Sequence, residues 1–200
     1  MTFTFGIITA GNLKLPMIIK SIRDEVADAE IIVVGGEGIS GITHIPFDEN
    51  IKPRWISKKK NLITQNATNE NIVYMHDYLM LSEGWYEGFL KFGNSWDVCM
   101  NVITNKDGTR YRDWVTWDDP QLGLCRVDYN TYKKTELMYI SGAYWVAKKW
   151  VMEADPIDES LCWGQGEDVE WSKRMRKKYR YVMNPYSEVV MMKQKRVIAS

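Results

Sequence analysis

Two acidic clusters, far apart in the chain, hold the residue types that could do chemistry. One is Trp163-Gly-Gln-Gly-Glu-Asp-Val-Glu-Trp171, where two glycines permit a tight turn and Glu167 and Asp168 open a helix. Carboxylates in a first helical turn accept backbone N–H bonds and meet the positive end of the dipole, so they stay ionised. An ionised carboxylate held at a cleft can accept the proton of an alcohol. The same groups can serve simply as caps, and spacing alone leaves both readings open. The other cluster is Tyr74-Met-His-Asp-Tyr-Leu79, an apolar strand ending in Asp77. At the mouth of a parallel sheet that carboxylate could meet a nucleotide diphosphate or its divalent cation, because hard cations bind one or two carboxylates together with phosphates. His76 could be a softer ligand or a hydrogen-bond donor. The plain alternative is a solvent-facing aspartate that ends a strand.

The elements needed to position these clusters can be read along the chain. Residues 4–9 form a short apolar run ending at Ala10-Gly11-Asn12, a buried strand and a turn. Pro16 suits a first helical turn, and Ile18, Ile19, Ile22 and Val26 recur at helical spacing. Glu30-Ile-Ile-Val-Val-Gly-Gly36 is a second buried strand. Thr43-His-Ile-Pro-Phe47 is a short third, which its proline assigns to an edge or an end. Ser57 is expected to cap a helix over 57–69, and a fourth strand covers 71–75. This alternation predicts an α/β fold with a mostly parallel central sheet flanked by helices, whose ligands bind at the carboxyl ends of the strands.

The second half predicts a helix over 81–92, a strand over 97–103 and a turn at Asn105-Lys-Asp-Gly108. Residues 110–134 show no sustained period and read as a long surface segment rich in Trp, Tyr and Asp. A strand over 137–146, interrupted at Ser141-Gly142, precedes a helix over 148–154. A last helix spans about 167–179. No linker appears, so one domain over 1–200 is expected, with a nucleotide-binding half over about 1–80 and a catalytic, acceptor-binding half beyond it.

Composition narrows the function classes. Twenty-six basic residues balance twenty-six acidic ones, so no global positive field recruits nucleic acid. No apolar run approaches the roughly 20 residues that span a bilayer, and the N-terminus lacks the pattern of a secretory signal. Three widely spaced cysteines read as the reduced thiols of a cytoplasmic protein. Nine Trp and eleven Tyr suit sugar rings, cores or interfaces equally, and together with eleven Met they are consistent with a self-association patch in a homo-oligomer.

In order and spacing, Gly6-Ile-Ile-Thr-Ala-Gly-Asn12, the 30–36 strand, Lys59-Lys-Asn-Leu62 before Ala67, and Asn71-Ile-Val-Tyr-Met-His-Asp77 resemble the nucleotide-binding half of GT-A glycosyltransferases of the family 2 type. Gly166-Glu167-Asp168 resembles the acidic motif of galactosyltransferase-like and other inverting GT-A enzymes. The resemblance spans roughly residues 3–190. It implies a nucleotide-diphosphate sugar, UDP-linked by preference, as donor and a glycan or other hydroxyl compound as acceptor. It further implies that Thr9, Ala10 and Asn12 contact the nucleoside, that Glu37 lies near the base or ribose, and that Lys60 and Asn61 lie on the nucleotide side. Asp168 would be the base and Glu167 its orienting partner. Ser141 and Gly142 would approach the sugar, with Tyr144 and Trp163 as walls, and Trp117 and Asp118 would shape the acceptor site.

His76-Asp77-Tyr78 occupies the place of the family's Asp-x-Asp motif, which holds Mn²⁺ or Mg²⁺ and the diphosphate. Its final carboxylate is replaced by tyrosine, and no histidine follows residue 76. Either Asp77 and His76 bind the metal, or basic side chains such as Lys193 and Lys195 neutralise the diphosphate. Two other function classes stay open: a non-catalytic carbohydrate- or nucleotide-binding protein that keeps the fold, and a nucleotidyltransferase. The absence of a glycine-rich phosphate loop followed by lysine argues against the latter.

Overall fold

Apolar runs without polar alternation need cover on both faces, and the first two strands have it. All six residues of β1 (Phe3–Ile8) are buried, as are the last four of β2 (Glu30–Val34). The structure, a computed structural model, describes residues 1–130 and 134–195. Between β1 and β2 runs α1 (Leu15–Glu25), with Pro16 in its first turn and Ile18 and Ile22 buried. Next come β3 (Thr43–Ile45), α2 (Ile56–Asn66), β4 (Asn71–His76), β5 (Leu79–Leu81), α3 (Trp85–Phe92) and β6 (Val98–Asn105). The rest comprises β7 (Val115–Asp119), β8 (Gly123–Arg126), a 3₁₀ turn (Thr135–Leu137), β9 (Met138–Tyr139), β10 (Tyr144–Lys148), α4 (Lys149–Ala154), α5 (Glu167–Met175) and β11 (Tyr181–Met191).

The central sheet has eight strands in the order β3-β2-β1-β4-β10-β6-β11-β5. From β3 to β4 every pairing is parallel, and β3, with Pro46 just beyond it, lies at the edge. Beyond β4 the sheet is mixed: β10 is antiparallel to both β4 and β6, β11 is parallel to β6, and β5 is antiparallel to β11. The sheet therefore draws strands from both halves of the chain. A second sheet, β8-β7-β9, is antiparallel throughout.

Several expectations change. The 110–134 segment is not featureless: β7 and β8 form a hairpin there, and Asp113, Trp114, Val115 and Thr116 are buried. Its residues 131–133 lie outside the described residues. Buried Asp113 organises this region, accepting bonds from Arg110 Nε and the Trp114 N–H, each at 2.7 Å. The strand expected over 137–146 is two strands in different sheets, β9 and β10, parted at Ser141-Gly142. Ser57 does not cap α2: its hydroxyl donates to Leu161 O, and the helix starts one residue earlier and stops at Asn66. The last helix ends at Met175.

Two strands, β5 and β11, escape sequence reading. Pro185 and a register break between Asn184 and Glu188 interrupt β11, so its alternation is broken. The break is supported internally. Asn184 accepts from the Tyr186 N–H and donates to Ser187 Oγ, both at 2.9 Å, and that hydroxyl donates to Trp85 O at 2.7 Å.

Most of the tryptophan is structural. Trp85, Trp96, Trp114, Trp145 and Trp171 are all in the core, and Trp85 packs against Phe3, Phe5 and Phe89. No helix among the described residues is long and apolar enough to cross a membrane.

The seat of α3 on β11 depends on Gly88. A Cβ there would lie 2.3 Å from Tyr186 O and 2.5 Å from Ser187 Oγ. Helix propensity alone favours Gly88→Ala by about 1 kcal/mol. The close approach reverses the sign, and the expected outcome is a loss of about 1–3 kcal/mol in urea unfolding.

Candidate functional site

The parallel register Ile8↔His76 brings the end of β1 beside the end of β4. Thr9 Oγ1 therefore donates to Asp77 Oδ2 at 2.6 Å while accepting from the Gly11 N–H at 2.9 Å. Asn12 Nδ2 donates to the Asp77 carbonyl. On the other side, Lys59 of α2 donates to Thr9 O and pairs with Glu49. Thr9, Ala10 and Asp77 line a hollow of about 440 Å³ whose remaining wall includes Arg54, Lys59, Trp163, Lys193 and Lys195. Asn12 lies next to it, in a smaller recess that also touches Asp77.

Asp168 is brought in from the opposite side by α5. Gly166, at φ 75°, occupies the left-handed region before the helix and makes no side-chain cap. Glu167 and Asp168 reach across the chain. Asp168 Oδ2 accepts the Gly142 N–H and Oδ1 the Val169 N–H, each at 2.9 Å. Gly142 is required by space, since a Cβ would stand 2.7 Å from Asp168 Oδ2. Glu167, 4% exposed, pairs at 3.1 Å with Lys60, which is 1% exposed. Lys60 also donates to Gly142 O at 3.1 Å and stands 4.7 Å above the Trp145 ring.

These neighbours set the charge states. Burial pushes the Asp168 carboxyl above its ordinary value, the negative Glu167 adds to this, and Lys60 with the two N–H donors partly offsets it. Burial drives His76 well below its usual range, assisted by Lys60, Lys195 and Lys59, so its ring is neutral. Burial also raises the Tyr78 phenol, with Tyr111, Asp77 and Glu167 adding to the effect, so it keeps its proton.

Asp168 opens on a hollow of about 350 Å³ with Ser141, Gly142, Trp163 and Trp117 in its lining, together with Tyr111, Arg112 and Tyr139. His76, Tyr78, Trp163 and Lys195 belong to both hollows, which therefore form one crevice with Asp77 and Asp168 at its two ends. Trp163, 54% exposed, is fixed there by its N–H bond to Arg54 O at 3.1 Å and by the Arg54 guanidinium, 4.8 Å from its ring.

Other expected residues lie elsewhere. Lys60 lines neither hollow and acts from behind Glu167 and Gly142. Asn61 bonds the 155–166 loop, donating to Ile157 O at 2.8 Å and accepting from the Ile157 N–H at 3.1 Å. Glu37 is exposed after β2, outside both hollows. Tyr144 is not a wall: it is fully buried, accepts from Trp85 Nε1 and donates to Asn101 Oδ1. Asp118 pairs with Arg176 at 2.8 Å, outside the lining of both hollows. Lys59 lines the crevice where its motif neighbours Lys60 and Asn61 were expected, and Arg54, Tyr111, Arg112 and Tyr139 are crevice residues without a motif. Only their basic or aromatic character hinted at them.

At the place expected for a metal, the protein offers few donors beyond the Asp77 carboxylate and the neutral His76 ring. Asp77 brings one carboxylate, already bonded to Thr9, and Tyr78 brings a protonated phenol. Among the described residues no three His, Cys, Asp or Glu side chains gather to hold an ion.

No protein-family model and no curated protein sequence matches the chain. Solved structures do. A fragment of S. aureus TarS in complex with UDP-GlcNAc superposes with a TM-score of 0.67 at 11% identity, over 98% of this chain and 60% of that one. GalNAc-T7 with UDP, GalNAc and Mn²⁺ gives a TM-score of 0.68 at 14% identity, over 96% of this chain and 44% of that one. The chain thus spans less than two thirds of these proteins. At such identities the likeness is one of architecture: the chain has the GT-A fold found in these glycosyltransferases.

Proposed function

We propose that the protein is an inverting glycosyltransferase that moves a sugar from a UDP-linked donor to an acceptor hydroxyl, with Asp168 as the base. The observation that carries this reading is the single crevice whose ends are Asp77 and Asp168. The neighbours with UDP and UDP-GlcNAc in their structures support it.

In this reading the nucleoside lies along Thr9, Ala10 and Asn12, and the sugar points past Trp163 toward Ser141 and Gly142. The acceptor enters between Trp117 and Tyr111. Asp168 takes the proton of the acceptor hydroxyl as that oxygen bonds to the anomeric carbon. The bond from that carbon to the diphosphate oxygen breaks on the opposite face, and its electron pair leaves with the diphosphate. Two N–H bonds aim the carboxylate, and its desolvation makes it a stronger base than an exposed aspartate. Glu167 and Lys60 are positioning residues: their mutual pairing holds Gly142 and sets the field at Asp168.

Asp168→Asn should lower transfer, followed by UDP release with a panel of UDP-sugars, by about 10²–10⁴-fold. Its fold should persist, because the native state binds the Asp168 proton more tightly than the unfolded chain, so ionisation of this group costs stability as pH rises above the ordinary aspartate range. Sugar binding that survives in the wild type without any turnover would instead favour a non-catalytic binding protein. Gly142→Ala should cost about 10²-fold in kcat/KM by displacing the carboxylate. The acid limb of the kcat/KM profile should lie above the ordinary aspartate range. It should move to lower pH in Glu167→Gln, which removes the like charge and leaves Lys60 in place.

A further inference from the structure

Residues 192–195 leave β11 and turn back along the crevice, tied down at each step. Met192 N donates to Tyr78 O at 2.8 Å, and Gln194 Nε2 to Asp107 Oδ2 at 2.9 Å. Buried Asn105 brackets Lys195, accepting its N–H at 3.0 Å and donating to its carbonyl at 3.2 Å. The two ammonium groups consequently stand over one ring, Lys193 at 5.0 Å and Lys195 at 4.9 Å from the centre of Tyr78. Tyr78 is the residue that replaces the second carboxylate of the Asp-x-Asp triplet.

The charge balance of the Asp77 hollow runs against a cation. Arg54, Lys59, Lys193 and Lys195 line it against only Glu49 and Asp77, and Lys59 already pairs with Glu49. His76 is neutral. A divalent ion beside Asp77 would enter a positive field, whereas a diphosphate would complete it. Desolvation, with the neighbouring Lys193 and Arg112, holds the Lys195 pKa below its ordinary value.

Resting on the transferase reading, we propose that Lys193 and Lys195, held over Tyr78, form the diphosphate subsite and stand in for the metal ion, so that nucleoside diphosphate binds without a divalent cation. Lysine binds phosphate as a point charge and can stabilise the leaving diphosphate as a metal would. Tyr78 serves as the platform that keeps both ammonium groups at the crevice.

The test is calorimetric titration of the full chain with UDP, in EDTA and again with Mn²⁺, using uridine as the phosphate-free control. UDP should bind with the same Kd in both buffers, to within about twofold, and more weakly as salt rises. Lys193→Ala/Lys195→Ala should weaken UDP by at least about tenfold and leave uridine unchanged. A matching thermal melt shows that the variant is folded, and Lys193→Ala, at an exposed position, gives the same direction alone. UDP binding only with Mn²⁺, or undiminished in the double variant, overturns the subsite and leaves the transferase reading standing. A wild-type chain that binds no UDP in either buffer overturns both.

Discussion

The site depends on the backbone of one residue, Gly142. Its N–H is held by Asp168 and its carbonyl by Lys60, while the carbonyl of the next residue, Ala143, accepts the N–H of His76 at the end of β4. Through these bonds the carboxylate carried by α5 is referenced to the strand end that carries Asp77. Neither acidic cluster could be positioned for a shared ligand by its own element alone. A side chain at residue 142 would displace the Asp168 carboxylate.

Behind that residue lies a buried ion pair on an aromatic floor. Lys60 and Glu167 are withdrawn from water, which is costly unless their remaining hydrogen-bonding capacity is used. Lys60 meets that condition with Gly142 O and the Trp145 face, and Trp145 stacks on Tyr74 at 4.6 Å. The pair satisfies Glu167 and leaves Asp168 as the carboxylate at this end of the crevice held by N–H donors. The same low-polarity setting that raises the Asp168 pKa strengthens any interaction made there with a developing charge. At the other end, cationic side chains outnumber carboxylates. The crevice is thus polarised along its length, with a buried carboxylate at one end and an excess of cationic side chains at the other.

The first half of the fold was legible because its strands are continuous apolar runs punctuated by glycine, proline and polar turns. Those signals located β1, β2 and β4, the edge position of β3, and hence the mouth at which Asp77 stands. Gly166-Glu167-Asp168 was legible as a candidate through its resemblance alone, since carboxylates opening a helix are also ordinary caps. Less legible were features created by distant contacts. Alternation in β11 is cut by Pro185 and its bulge, and Arg110, Trp114 and Tyr129 are tied together by buried Asp113 and not by a periodic face. Lys60 and Asn61 sit beside Lys58 and Lys59 on α2, and local pattern cannot say which of four polar residues turns inward. Tyr144 and Trp163 are both aromatic residues near the motif. Only the packing of β10 against β4 and β6 reveals that one is core and the other a wall.

A crystal structure of the chain with UDP bound tests the central claim most directly. The account predicts the uracil and ribose beside Thr9 and Ala10, the diphosphate against Lys193 and Lys195, and its terminal phosphate directed along the crevice toward Asp168. UDP seated away from this crevice, or with its phosphates pointing out of it and away from Asp168, would contradict the account.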